Sequence, residues 1–241
     1  MTYIFLNKKG ATETTLMKKV ACPIFFRFPL ASSIALLSLI LPISQIGVAK
    51  DAFLSTYSPL QSRPTVLVNA NILTGTGSLL KQTDLFVNHG MIKSIGSISQ
   101  HIPGNTLRID LNGKWITPGL IDVHSHLGVY PSPSVKAHWD GNEMTDPVTP
   151  DNWAEHSVWP QDPGFLTALA GGVTTMQVLP GSANLFGGRG VTLKNVPSVT
   201  YQGMKFPNAP HGLKMACGEN PKRVYGELQR APSTRMGNVA A

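Results

Sequence analysis

Thr117-Pro118-Gly119-Leu120-Ile121-Asp122-Val123-His124-Ser125-His126-Leu127-Gly128 is the stretch whose reading decides the fold. Between Pro118-Gly119 and Gly128 the residues are dense in aliphatic and β-branched types, which predicts a short buried strand over 120–127. Side chains two apart in a strand point the same way, with Cα atoms about 6.6 Å apart at a rise of about 3.3 Å per residue. His124 and His126 therefore share a face and can converge on one cation. Neutral imidazole is a favoured ligand of Zn²⁺, and a hydrolytic site uses such an ion to acidify a bound water. A bare H-x-H is more often an exposed or hydrogen-bonded pair, so its surroundings decide the reading.

Upstream, the surroundings are β-rich. Val66 to Leu73 is strand-like, Gly75-Thr76-Gly77 turns, and Asp84 to Asn88 with His89-Gly90 and Met91 to Gly96 reads as a hairpin. Thr106 to Leu111 alternates as a further strand, and Leu111 to Ile116 closes the unit. Together these predict a small sheet over 64–116 with one apolar face, with His89 and His101 on its surface. Residues 50–63 read as a Ser/Pro/Gln-containing linker.

Residues 1–49 read as an export signal. Lys18, Lys19 and Arg27 precede the apolar run Ile34 to Leu41, and Gly47-Val48-Ala49 offers small residues for cleavage. Met17 is an alternative start. Pro42 and Gln45 interrupt an apolar stretch already short of the roughly 20 residues a membrane span needs, so no stable membrane insertion is expected after cleavage. The chain carries a net charge of +7, but residues 1–50 hold six Lys/Arg against Glu13, leaving +2 for the rest. With no basic cluster interleaved with aromatics in the body, nucleic-acid binding is not expected. Cys22 lies in the leader and Cys217 stands alone in the body, so no internal disulfide is expected after cleavage.

Downstream of Gly128 comes a polar, Pro-rich segment, 129–163, longer than a plain connection and therefore expected to be a functional loop. His138, Asp140 and His156 within it are candidates to touch substrate, although loop polarity explains them equally well. Pro163 to Ala170 has helical spacing and ends at Gly171-Gly172, and Val173 to Leu179 is a β-branched strand. Strand, crossover helix and strand in succession predict a parallel β–α–β unit. Gly181 to Gly190 is glycine-rich but lacks the phosphate-loop spacing. We read it as a permissive loop near substrate whose Arg189 engages a substrate carboxylate, with a solvated turn Arg as the alternative. His211 to Gly226 reads as a further strand running into a loop, with Cys217 a small core residue.

The runs P-G-L-I-D-x-H-x-H, A-G-G-V-T-T and G-L-K-M-A-x-G-E-N-P-K-R resemble the amidohydrolase superfamily, and within it the imidazolonepropionase-like branch. The resemblance implies an α/β fold: a metal-dependent-hydrolase (β/α)₈ TIM barrel preceded by the N-terminal strands of a small β-sandwich. Such a barrel takes about 250 residues, whereas 124 follow Thr117. The expectation is therefore a partial barrel over 117–241. In the family the two histidines bind the first catalytic metal, and a carboxylated Lys or a Glu from a middle strand can join them. Position along the strand favours Glu219 over Lys214, because catalytic groups sit at strand C-terminal ends. The general-base Asp and two more histidines are expected beyond residue 241. The implied function is hydrolysis of a C–N bond in a small amide by metal-activated water, Zn being the expected divalent metal. The expected partner is the small amide substrate, with a homo-oligomer left open. The alternative is a non-catalytic remnant or binding module of the same family.

Overall fold

β1 (Thr65–Leu73) is apolar on both sides and becomes the central strand of the first sheet. It pairs antiparallel with β2 (Leu79–Asn88), which turns through His89-Gly90 into β3 (Met91–Ile95). Both turn residues have positive φ, as a tight hairpin of right-handed strands requires. On its other edge β1 runs parallel to β4 (Leu107–Asp110) and then β5 (Trp115–Ile116). The computed structural model of the protein describes residues 53–98 and 102–241. The leader expected over 1–49, and His101, lie outside them.

The sheet has two apolar faces where one was expected. Val66, Val68 and Phe86 cluster on one side, and Leu67, Ala70, Ile72, Leu85 and Ile116 on the other. The cause is a bulge. Asn69 takes φ +55 at a register shift between Leu67 and Ala70, and its N–H donates to Asp84 Oδ1 at 3.1 Å instead of to the ladder. One extra residue shifts the alternation, so Ala70 and Ile72 join the face of Leu67.

The second part starts with β6 (Leu120–Ser125), followed by the long 129–163 segment, α1 (Pro163–Ala170) and β7 (Val173–Val178). β6 and β7 are parallel, as expected of the β–α–β reading. The Asp162 carboxylate caps α1, accepting from Gly164 N at 2.8 Å, and Pro163 supplies the fixed φ of the first turn. The same buried carboxylate accepts from Gly128 N and Ser132 N, so one side chain ties the start of the long segment to the helix. Gly119 lets β6 close on β7, since a Cβ there would lie 2.1 Å from Thr174 Oγ1.

The chain then folds back. β8 (Phe186–Arg189) and β9 (Val191–Lys194) follow, and β9 pairs antiparallel with β7, giving the order β6-β7-β9. Gly188 is obligatory in this return: φ is +110, and a Cβ would meet Asn152 O at 2.5 Å. After α2 (Tyr201–Met204), β10 (Leu213–Met215) pairs antiparallel with β8, and α3 (Glu219–Glu227) and α4 (Arg235–Ala240) complete the described chain. Met176, Val178, Val191, Leu193, Phe165 and Met204 form the core of this part. Among the described residues no helix is long and apolar enough to cross a membrane.

Three expectations are corrected here. β6 is a strand but not a buried one: Leu120, Ile121 and Val123 are 58, 68 and 69% exposed, because among the described residues only β7 pairs with it, along one edge. The segment after His211 forms three paired residues against β8, and Glu219 opens a helix instead of ending a strand. Cys217 is exposed, since it sits in the short turn between β10 and α3 outside any apolar cluster. The linker reading also gains detail. Thr56 N donates to Gln202 O, and Ser55 Oγ to Lys205 O, so the first described residues of that segment are pinned along α2.

Candidate active site

His124 is the next-to-last residue of β6 and His126 directly follows the strand, so the two-residue spacing brings both rings to one place. Their centroids are 5.2 Å apart with planes nearly perpendicular, 83°. His126 Nδ1 lies 2.9 Å from the carbonyl of Leu179, the residue that directly follows β7. A carbonyl only accepts, so Nδ1–H donates and the Nε2 lone pair is left to face outward. Tyr130, one turn further on, packs edge-on against His126 at 5.8 Å and donates its hydroxyl to Asn142 Oδ1 at 2.6 Å. Burial raises the Tyr130 pKa above its usual value, which keeps the phenol protonated as that donor.

The third group is Lys214. It comes from the middle of β10, and its Nζ lies 3.0 Å from His124 Nε2. The ammonium beside it, first of all, lowers the His124 pKa, with desolvation and His126 acting in the same direction and Asp122 opposing. Burial lowers the pKa of Lys214 itself. His124 is thus held neutral, the form in which imidazole is a metal ligand. Asp122 Oδ1 accepts from the His124 backbone N–H at 3.0 Å and steadies the strand end.

Glu219, favoured by position along the strand, is placed elsewhere. Its carboxylate pairs with Arg223 at 3.2 Å one turn along α3, on a solvent-exposed face. Lys214 takes the place beside His124 because β10 is too short to carry Glu219 to a strand end. Arg189 packs its guanidinium over the Trp153 ring at 5.0 Å, and His211 meets the same ring at 4.6 Å. His138 packs on Trp159, whereas Asp140 and His156 line a cleft of about 530 Å³.

Sequence reasoning missed several groups. Leu179 acts through its backbone, which no side-chain pattern reveals. Asn184, fully buried, bonds Asn142 at 2.9 Å and also contacts the carbonyls of Glu143 and Asp146, holding the 142–149 loop. Glu155 and Lys205 form a buried ion pair at 2.5 Å. The signal for such a pair, two charges in otherwise ordinary loop sequence 50 residues apart, is absent from any window.

Among the described residues no three His, Cys, Asp or Glu cluster so as to hold a metal. The arrangement is two imidazoles and a lysine at the mouth of parallel strands, beside a cleft. An oriented His126 and a neutral His124 fit a divalent cation.

Comparison with known proteins defines the class. No family model matches the chain. It is 34% identical over 202 residues to the amidohydrolase tasK of Hapsidospora irregularis, an alignment spanning 73% of this chain and 20% of that protein. It is similar to the crystal structure of an amidohydrolase from Thermotoga maritima MSB8, with TM-score 0.67 and 41% identity over 73% of this chain and 45% of that one. A shorter match, 40% over 58 residues, joins 24% of the chain to 14% of the imidazolonepropionase of Pseudomonas paraeruginosa. The chain belongs to the amidohydrolase superfamily and matches an N-terminal portion of it. It spans less than half the length of these relatives.

Proposed function

We propose that His124 and His126 hold a divalent metal, Zn²⁺ by ligand type, in a hydrolase that cleaves a C–N bond of a small amide. The observation that carries this is the convergence of a fixed His126, a neutral His124 and Lys214 at one strand mouth. When bound, such an ion supplies an acidified water and polarises the amide carbonyl. The residues divide the remaining work. The Leu179 carbonyl fixes the His126 tautomer, and Tyr130 with Asn142 braces the ring. The resemblance implies that a carboxylated lysine can contribute an oxygen ligand, and the 3.0 Å approach of Lys214 Nζ to His124 supports assigning that role to Lys214. As an ammonium it donates to the His124 lone pair a metal would take, so carboxylation turns a competitor into a ligand. We further propose that the general-base Asp comes from outside the matched portion, that Arg189 acts on substrate only after leaving Trp153, and that the protein is exported.

The test is zinc titration by calorimetry with and without bicarbonate. Wild type binds zinc, more tightly with bicarbonate; His124→Ala loses binding, and Lys214→Arg, which keeps the charge but cannot be carboxylated, loses the bicarbonate effect. Undiminished binding in His124→Ala removes that residue from the site. The exposed apolar face of β6 favours a second reading, a non-catalytic module of the same family. Strong binding of a hydrophobic dye with no retained metal would select it.

A further inference from the structure

The 129–163 segment and the β7–β8 connection enclose the cleft of about 530 Å³, a volume within the range of small-molecule sites. It adjoins the His124, His126 and Lys214 cluster on three sides. Pro180 in its wall follows the Leu179 carbonyl that holds His126. Asn142 accepts from Tyr130, which packs on His126. Gly187 lies against Lys214, whose Cγ would be 3.7 Å from a Cβ there.

The lining has a consistent chemistry. The lining residues include the acidic Asp140, Glu143 and Asp151 and the aromatic Trp139 and Trp153, and no Lys or Arg is among them, with Arg189 on Trp153 and Lys214 at Gly187 just beyond the lining. Thr145 donates to Glu143 from both its N–H and its hydroxyl, which holds that carboxyl below its usual pKa and keeps it ionised. Aromatic faces attract cations through the ring quadrupole, and Trp does so best. Trp153 already carries one guanidinium, that of Arg189, at 5.0 Å. Acidic groups alone would be a solvated loop; carboxylates and indoles around one cleft at the mouth of the His pair make a recognition surface.

We propose that this cleft binds a cationic group of the substrate, a guanidinium or primary amine, and so selects basic amino-acid amides; this rests on the hydrolase reading above. Cation recognition by the cleft does not itself need the metal. The test titrates N-acetyl-arginine amide and its uncharged isostere N-acetyl-citrulline amide into the full chain, read by tryptophan fluorescence and calorimetry. The charged probe is expected to bind about tenfold more tightly. An Asp140→Asn, Asp151→Asn double variant is expected to lose that preference, and Trp139→Ala to weaken it, both unfolding at the wild-type midpoint. His124→Ala is expected to keep it. Equal affinity for the two probes, no binding of either, or a preference unchanged in the double variant overturns the proposal. A wild-type chain that shows the preference but binds no zinc defeats the hydrolase reading alone, and a wild-type chain that binds zinc with no preference defeats the cleft alone.

Discussion

β1 and β6 are both short aliphatic runs that end in polar turns. In β1, Val66 is 1% and Ala70 0% exposed, whereas in β6 Ile121 and Val123 are more than two-thirds exposed. β1 has neighbours on both edges and apolar partners on both faces; among the described residues β6 has one strand neighbour, and Ile121 and Val123 stay open to solvent. Strand formation is thus a local property and burial a property of what surrounds the strand. His124 sits on that open strand and His126 directly after it, so the proposed metal ligands lie on a part of the fold that faces solvent.

The largest effect that would break the comparison concerns the fastening of the second part. Lys205 and Glu155 pair in a nearly dry site, and Lys205 Nζ also donates to Phe53 O at 2.7 Å. Lys205→Met leaves Glu155 buried without its counter-ion and should cost about 3–5 kcal/mol in urea unfolding. A loss confined to the surface range would mean that the carboxylate is already wet.

Next, matched truncations test the two strands against each other. Ile72→Ala should destabilise by about 2–4 kcal/mol, because a fully packed side chain leaves a cavity. Ile121→Ala should cost no more than about 0.5 kcal/mol, as for other exposed positions. Equal losses would show that β6 is covered in solution, by a second copy or by further chain. Hydrophobic-dye binding that falls on Ile121→Lys with no change in stability would locate the open face directly.

A smaller effect probes the bulge that gives β1 two faces. Asn69 holds φ +55, which a β-branched residue resists. Asn69→Val should cost about 1–2 kcal/mol and Asn69→Gly almost nothing. A neutral Val variant would mean that the bulge can move along the strand.

Much of this was legible beforehand. The hairpin at His89-Gly90, the helix between Pro163 and Gly171, and the parallel pairing of the strands around it follow from local turn and cap chemistry, which a sequence states openly. The convergence of His124 and His126 followed from period two. The choice between Lys214 and Glu219 did not, because it depends on where β10 stops, and that is set by its pairing with β8 across the glycine-rich return. The second face of the first sheet was hidden for a similar reason. Asn69 looks like any polar strand residue until the Asp84 carboxylate takes its N–H.

The smallest effect is the response to alkali, and it falls on the part that carries β6. Tyr57, Tyr130 and Tyr225 all have pKa values raised above 10.0 by burial; for Tyr225 Asp146 and Glu143 add to this while Arg230 opposes. Above pH 10 the folded chain therefore holds phenolic protons that the unfolded chain has lost. Their contribution to stability is complete below pH 10 and declines as pH rises through the folded-state values. Lys194 acts in the opposite sense. It sits between the Tyr57 and Phe206 rings with its pKa lowered from 10.5 by burial. The folded chain sheds that proton first, so its penalty is relieved as pH climbs toward 10.5. Three groups against one predict a shallow net fall in urea midpoint above pH 10. Tyr225→Phe, which also gives up the hydroxyl's bond to Asp146 O at 2.7 Å, should flatten that fall while lowering the midpoint at neutral pH. A midpoint that rises with pH would mean that Lys194 outweighs the tyrosines, and that the core beneath β7 and β9 is strained by a charge it cannot solvate.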